Sequence, residues 1–256
     1  MNAAMRKTGA LLAKDFADLF KNPTLLVVCL LPIAFMALYT FMVGDATNDA
    51  NLAAEQNGVG DLVNLVIQQF MLGSSLCMAV GMVCTMTVLY GIAEEKEKRT
   101  LRTLMLANVG ASQVVASKTI VALVASTVVN AVCFFVAGGE PGMLGVYLAL
   151  GIMGSLPIIL FSLVLGLACR DQMTAGVYSV PVLLVALVPM FGMANEAIEK
   201  VAHWLPTGGV YDLIGLALNG NLLSQDALAP LAVTAAWIVV GAVLFAALFK
   251  RLARDN

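Results

Sequence analysis

Stretches without a charged residue recur along the chain and alternate with short charged segments. Six of them are long and cover residues 24–44, 62–93, 119–139, 142–169, 172–195 and 227–249. Because a helix needs roughly 20 apolar residues to cross about 30 Å of hydrocarbon, each predicts a transmembrane helix. A seventh uncharged stretch, residues 213–225, is too short to span, so we expect a re-entrant or outer helical segment within residues 195–229. The pattern predicts an all-α integral membrane protein with a single transmembrane domain over residues 1–256.

An amphipathic helix is predicted for residues 3–22, ahead of the first span. Its apolar residues recur at helical spacing and therefore share one face. Its polar residues recur at the same spacing, two positions later, on a face about 200° away. The apolar set is Met5, Leu12, Phe16 and Leu19, and the polar set is Lys7, Lys14, Asp18 and Lys21. Such a helix suits the membrane surface or the surface of a partner protein, and the two interpretations are compatible.

The composition agrees with a lipid environment. Apolar residues make up 61% of the chain and charged residues 12%, whereas soluble domains average about 25% charged residues. This excludes an ordinary soluble enzyme, and the net charge of −2 argues against nucleic-acid binding. All five cysteines lie in or beside uncharged apolar stretches, so no disulfide framework is predicted.

Basic residues indicate the orientation. Thirteen of the 14 Lys and Arg residues fall on one side of a six-span arrangement, and only Lys200 falls on the other. By the positive-inside rule the basic side is cytoplasmic, which places both termini in the cytoplasm. We therefore expect a multi-pass protein of the plasma or inner membrane, with an uncleaved first span.

The charged loop between spans two and three, residues 94–118, carries the most informative motif. With the preceding turn it reads IAEEKEKRTLRTLMLANVGASQVVASK. It resembles the cytoplasmic loop of ABC exporter permeases of the type 2 family, which have the type V exporter fold. The matching positions are Glu95, Lys96, Glu97, Thr100, Leu104, Val109, Gln113 and Lys118. The departures are Arg99 and Ser117 where the family has Gly, Asn108 where it has Pro, and Gly110 where it has Ser.

This loop is suited to docking. Alternating charges end span two, and Leu101, Leu104 and Met105 follow at spacings that give a helix one apolar face. The resemblance implies a coupling helix that contacts an ATPase subunit. The candidate coupling residues are Glu94, Glu95, Glu97, Arg99, Thr100, Leu101, Leu104 and Met105. A solvated charge run followed by a short interfacial helix is the alternative.

The chain contains no phosphate-loop motif and no soluble stretch long enough for a nucleotide-binding domain. The resemblance therefore implies that ATP and Mg²⁺ bind a separate ABC ATPase chain, while this chain binds no cofactor. It also implies a second permease subunit, identical or different.

Span two carries a methionine stripe, the residues Met71, Ser75, Met78, Met82 and Met86, which share one face of a regular helix. Methionine adapts to varied apolar partners, so the stripe predicts a lining for a flexible hydrophobic substrate. Gln68 belongs to the same candidate pathway near the outer end. Ordinary packing of the stripe, and interfacial solvation of Gln68, remain alternatives. Without a C-x-x-C pair or a histidine partner, no metal site is predicted.

No ionisable residue lies in the middle of a span, which disfavours ion-coupled transport. Asn130 is expected to hydrogen-bond between helices, and His203 to be an interfacial residue. We predict the permease subunit of an ATP-driven exporter that moves a hydrophobic or amphipathic drug, lipid or peptide outward. An ion-coupled carrier and a non-transporting membrane sensor are the alternatives.

Overall fold

The computed structural model describes residues 3–56, 60–100 and 110–252, and within these every regular element is a helix. The helices are α1 Ala3–Lys21, α2 Pro23–Gln56, α3 Gly60–Ala79, α4 Thr85–Glu97, α5 Ala111–Val136, α6 Leu144–Ala168, α7 Gln172–Leu187, α8 Glu196–Ala202, α9 Gly208–Leu218 and α10 Leu228–Leu252. A π turn, Val80–Cys84, joins α3 to α4, and short 3₁₀ turns occupy Pro141–Met143, Val188–Ala194 and Gln225–Ala227.

Among the described residues, six segments are long and apolar enough to cross a membrane, which confirms the predicted all-α membrane fold. Spans one to six are Pro23–Met42, Leu62–Glu97, Ser112–Val136, Pro141–Ala168, Gln172–Met193 and Gln225–Phe249. Spans two and three are connected at the end of the bundle where α1 lies, which is called the loop end here. Helices α8 and α9 lie at the opposite, far end.

Span two is the centre of the bundle. In its apolar window 78% of the residues are buried, against 22% in spans one and five and 11% in span six. Leu76, Val80 and Val88 of span two pack in one core cluster with Ile158 and Leu163 of span four. Spans one, five and six therefore present most of their apolar surface outward.

The π turn interrupts span two at the level where span five approaches it. A Cβ at Gly81 would lie 2.9 Å from the Cβ of Ala186, so the two spans touch here with no room for a side chain. A π turn adds a residue to the helical repeat and rotates everything after it. The regular spacing assumed for the methionine stripe therefore does not continue past residue 84.

Helix α9 is the predicted non-spanning segment, although it begins at Gly208, five residues earlier than the uncharged stretch. Its 11 residues give a length of about 16 Å, half of a membrane crossing. It packs against span two through two close contacts. A Cβ at Gly73 would lie 2.5 Å from the Tyr211 ring, and one at Gly215 would lie 2.5 Å from the Gln69 amide. Each helix thus supplies a glycine under a large side chain of the other.

Candidate coupling site and apolar groove

Four charged residues form an ion cluster at the loop end: Lys14, Asp15, Glu95 and Lys118. Asp15, Glu95 and Lys118 are at most 5% exposed. Lys118 Nζ lies 2.7 Å from Asp15 Oδ1 and 3.2 Å from Glu95 Oε1. Lys14 Nζ donates to the same Glu95 oxygen at 3.0 Å, and Ser117 Oγ donates to Asp15 Oδ2 at 2.5 Å. Two cations and two carboxylates balance, as burial of charge requires.

The ion cluster joins three elements that are distant in sequence. Asp15 belongs to α1, Glu95 to the end of span two and Lys118 to the start of span three. Both ends of the loop are thus tied to α1. Leu101, Leu104 and Met105 lie in residues 101–109, outside the described residues, so their docking role stays a prediction.

Two other charges of the loop, Lys96 and Glu97, bind helix termini. Lys96 Nζ donates to the Leu167 and Cys169 carbonyls at the end of span four, the latter at 3.1 Å. Glu97 Oε2 accepts from the Gln172 N–H at 3.1 Å, at the start of span five. A cation at a helix C-terminus and an anion at an N-terminus are each favourable. Much of the charge run therefore holds spans two, four and five together.

The same segment explains one departure from the family motif. Arg99 has φ +55°, the left-handed region in which glycine is favoured. It follows the last helical turn, and its N–H donates to the Lys96 carbonyl at 3.0 Å. Thr100 Oγ1 donates to the Glu95 carbonyl at 3.2 Å, which supplies another partner to this helix end. The loop thus retains a glycine-type turn with an arginine in it.

The remaining candidate, Glu94, is half-buried and pairs with Lys98 on the next helical turn. Asn22, at the end of α1, donates to its other carboxylate oxygen at 3.5 Å. Glu94 therefore joins α1 to span two beside the ion cluster.

An apolar groove runs between spans one, two and five. Its central part has a volume of about 300 Å³ and is lined by Phe35, Met36, Tyr39, Phe70, Met71, Ser74, Met78, Met82, Leu187, Met190 and Phe191. A second part of about 520 Å³ continues toward the far end, shares Tyr39, Phe70 and Met71, and adds Ile67 and Met193. The groove is open along one side of the chain.

The structure brings three members of the methionine stripe together in the groove and places the other two, and Gln68, elsewhere. Met71, Met78 and Met82 line the groove. Ser75 is buried on another side, where its hydroxyl lies 2.7 Å from that of Tyr147. Gln68 is exposed, and Met86, beyond the π turn, is half-buried and does not line the groove.

The direction of the groove accounts for this difference. Phe70 and Ser74 line the groove, and each comes one position before a residue of the methionine stripe. The groove is therefore centred beside the stripe on the helix surface and not directly over it. Sequence reasoning missed Phe70 and Ser74 because it followed the methionines.

The predicted hydrogen bond from Asn130 to another helix is not made within the described part of the chain. Asn130 donates to Ser126 on its own helix at 3.3 Å, and its amide lies against Gly151 of span four. Ser126 and Ser155, 3.4 Å apart, make the polar link between spans three and four. The small Gly151 lets the amide pack without bonding across.

The sequence matches one family, described as ABC-2 family transporter protein, over residues 61–249. The matched region begins one residue before span two and ends with the last residue of span six, so it includes the loop and five spans. No curated protein matches the chain.

Proposed function

The chain belongs to the ABC-2 family of transporter proteins, and on this basis we propose that it is the permease of an ATP-driven exporter whose substrate moves along the apolar groove. Permeases of this family are membrane transport subunits that work with ABC ATPase subunits and are not themselves catalytic. Membership favours ATP-driven transport over the ion-coupled carrier and the sensor.

One observation carries the proposal: span two belongs to both candidate sites. Its methionines Met71, Met78 and Met82 line the groove, and its last turn places Glu95 in the ion cluster at the base of the loop. A force applied to the loop by an ATPase subunit would reach span two directly. The π turn contains the groove residue Met82, at the end of the groove nearest the ion cluster, and it is where the helix can change its twist.

A second permease subunit, of the same or a different sequence, completes the pathway in this proposal. Spans one and five border the groove and expose large apolar side chains, among them Phe35, Phe41, Met42, Val177, Leu184 and Phe191. A subunit packed over this face would turn the open groove into an enclosed cavity.

The proposal sets the loop end in the cytoplasm, because thirteen of 14 basic residues lie there. Export then moves substrate toward the far end. A cysteine at Asn221 should react with an impermeant maleimide added outside intact cells, and one at Ser112 should not. The reverse labelling would place the docking loop outside and end the proposal.

The pathway is tested by filling the groove. We expect Met78→Trp and Met82→Trp to block ATP-dependent transport of a fluorescent hydrophobic dye into inverted vesicles, while the subunits still co-purify, because an overfilled cavity stops passage. Val239→Trp is the control, since Val239 of span six is exposed and outside the groove. Unchanged transport in both groove variants would contradict the proposal.

The partner is tested by purifying the chain in mild detergent and identifying the accompanying subunits. We expect an ABC ATPase among them. Absence of an ATPase from a preparation that keeps its membrane insertion and fold would refute the assignment of ATP-driven export.

A further inference from the structure

A polar pocket of about 180 Å³ lies at the far end, between spans two and five and helices α8 and α9. Five of its lining residues carry polar groups: Gln69 from span two, Glu199 from α8, His203 directly after α8, and Tyr211 and Asp212 from α9. Nothing in the proposed pathway so far uses this far-end pocket.

The pocket carries an excess of negative charge. His203 Nδ1 lies 2.6 Å from Asp212 Oδ2, and Glu199 lies four residues before His203, which caps the C-terminus of α8. With a protonated His203 the lining has a net charge of −1, and with a neutral His203 it has −2. Lys200 does not line the pocket. A positive group is therefore the complement of this lining.

Tyr211 supplies an independent sign of a ligand. The residue is 8% exposed, lines the pocket, and has a buried hydroxyl with no hydrogen-bond partner in the described part of the chain. Its ring is held by the close contact over Gly73. Burial raises the pKa of Tyr211, so the hydroxyl stays neutral and its oxygen can accept a hydrogen bond. An N–H donor that reached this hydroxyl from the pocket would satisfy a group that is otherwise costly to bury.

The pocket adjoins the apolar groove. Met193 lines both, and the consecutive residues Val66 and Ile67 of span two line the pocket and the groove respectively. A molecule with an apolar body in the groove can thus place its head in the pocket. A phosphate beside the head would face the carboxylates and be repelled.

We propose that this pocket binds the head of a lipophilic ammonium, so that the exported substrate is a cationic amphiphile without a phosphate group. The proposal rests on the proposed function of the groove. Asp212 and Glu199 balance the charge, and Tyr211 accepts an ammonium hydrogen bond. Specificity comes from the far-end pocket, whereas the methionine lining tolerates varied apolar bodies.

Photolabelling tests the proposal without knowledge of the natural substrate. The chain, purified with its accompanying subunits, is placed in phosphatidylcholine nanodiscs with a diazirine derivative of dodecylamine or of dodecanol. Labelled residues are identified by mass spectrometry. We expect the amine probe to label the pocket and adjoining groove about tenfold more efficiently than the alcohol probe. A hydrogen bond between an ammonium and a carboxylate contributes enough binding free energy for a difference of this size.

Variants separate the pocket from the groove. Glu199→Gln with Asp212→Asn should bring amine labelling down to the alcohol level and leave alcohol labelling unchanged. Glu196→Gln, on the same helix but outside the pocket, should keep the amine preference. Equal labelling by both probes in the parent, or a preference that survives the double variant, overturns the proposal.

Met78→Trp distinguishes failure of the groove from failure of the pocket. If the groove holds the apolar body, this variant should reduce labelling by both probes. If alcohol labelling is unchanged in Met78→Trp, the proposed function of the groove fails. If the groove responds but the charge variants do not, only the ammonium site fails.

Discussion

Replacing Lys118 with methionine removes the central cation of the ion cluster and tests what holds the loop to α1. Asp15 would keep the Ser117 hydroxyl, and Glu95 would keep the half-exposed Lys14, so each carboxylate loses one of two polar contacts. Removing one partner of a buried ion pair costs about 3–5 kcal/mol. Because both carboxylates keep a partner, we expect about 3 kcal/mol here, at the lower end of that range.

The assay is thermal unfolding in nanodiscs, together with ATP hydrolysis by the purified complex. A loss of about 3 kcal/mol corresponds to a fall of roughly 6–12 °C in Tm. Lys200→Met is the control, since Lys200 is an exposed lysine at the far end. Adding Asp15→Asn to Lys118→Met should recover part of the loss, because the unpaired charge is gone. A Lys118→Met protein as stable as the Lys200→Met control would refute the reasoning.

Three further outcomes follow from the same features. Arg99→Gly should stabilise the chain by about 0.5–1 kcal/mol by relieving the left-handed backbone, and Lys98→Gly, at φ −78°, should destabilise it in the same unfolding assay. Leu104→Asp should abolish co-purification of the ATPase without lowering membrane insertion, and stoichiometric binding would disprove the docking role. Burial raises the pKa of Asp212, an effect that His203 opposes and Glu199 reinforces. Asp212 therefore becomes neutral at a higher pH than an ordinary aspartate, and amine photolabelling should fall as the pH drops through that raised pKa; the same pH profile in Asp212→Asn would contradict this.

The spans were predictable because the signal is local. A charge-free window long enough to cross the bilayer needs no tertiary information, and each of the six windows corresponds to a spanning helix. The ends of helices are harder to predict from the sequence than the spans. Helix α2 continues to Gln56, 14 residues past the end of span one, and residues 43–56 contain no proline that would end it.

The ion cluster could not be read from the sequence, since Asp15 and Lys118 are 103 residues apart. One hint was present: Asp15 falls in the row Leu11, Asp15, Leu19, at the spacing of a buried face, where a carboxylate requires a partner. The π turn had no recognisable signal, and it changes the helical spacing before Met86, which does not line the groove. The far-end pocket depends on the contact of α9 with span two, which only the fold creates.

The central claim is that the ATPase drives span two and thereby changes the groove. The most direct measurement is the rate at which a cysteine at Met82 reacts with a maleimide, in a complex whose five native cysteines have been replaced. We expect the rate to change several-fold between the ATP-free and the vanadate-trapped complex, and a cysteine at Val239 of span six to show no change. Equal rates at Met82 in the two states would contradict coupling between the loop and the groove.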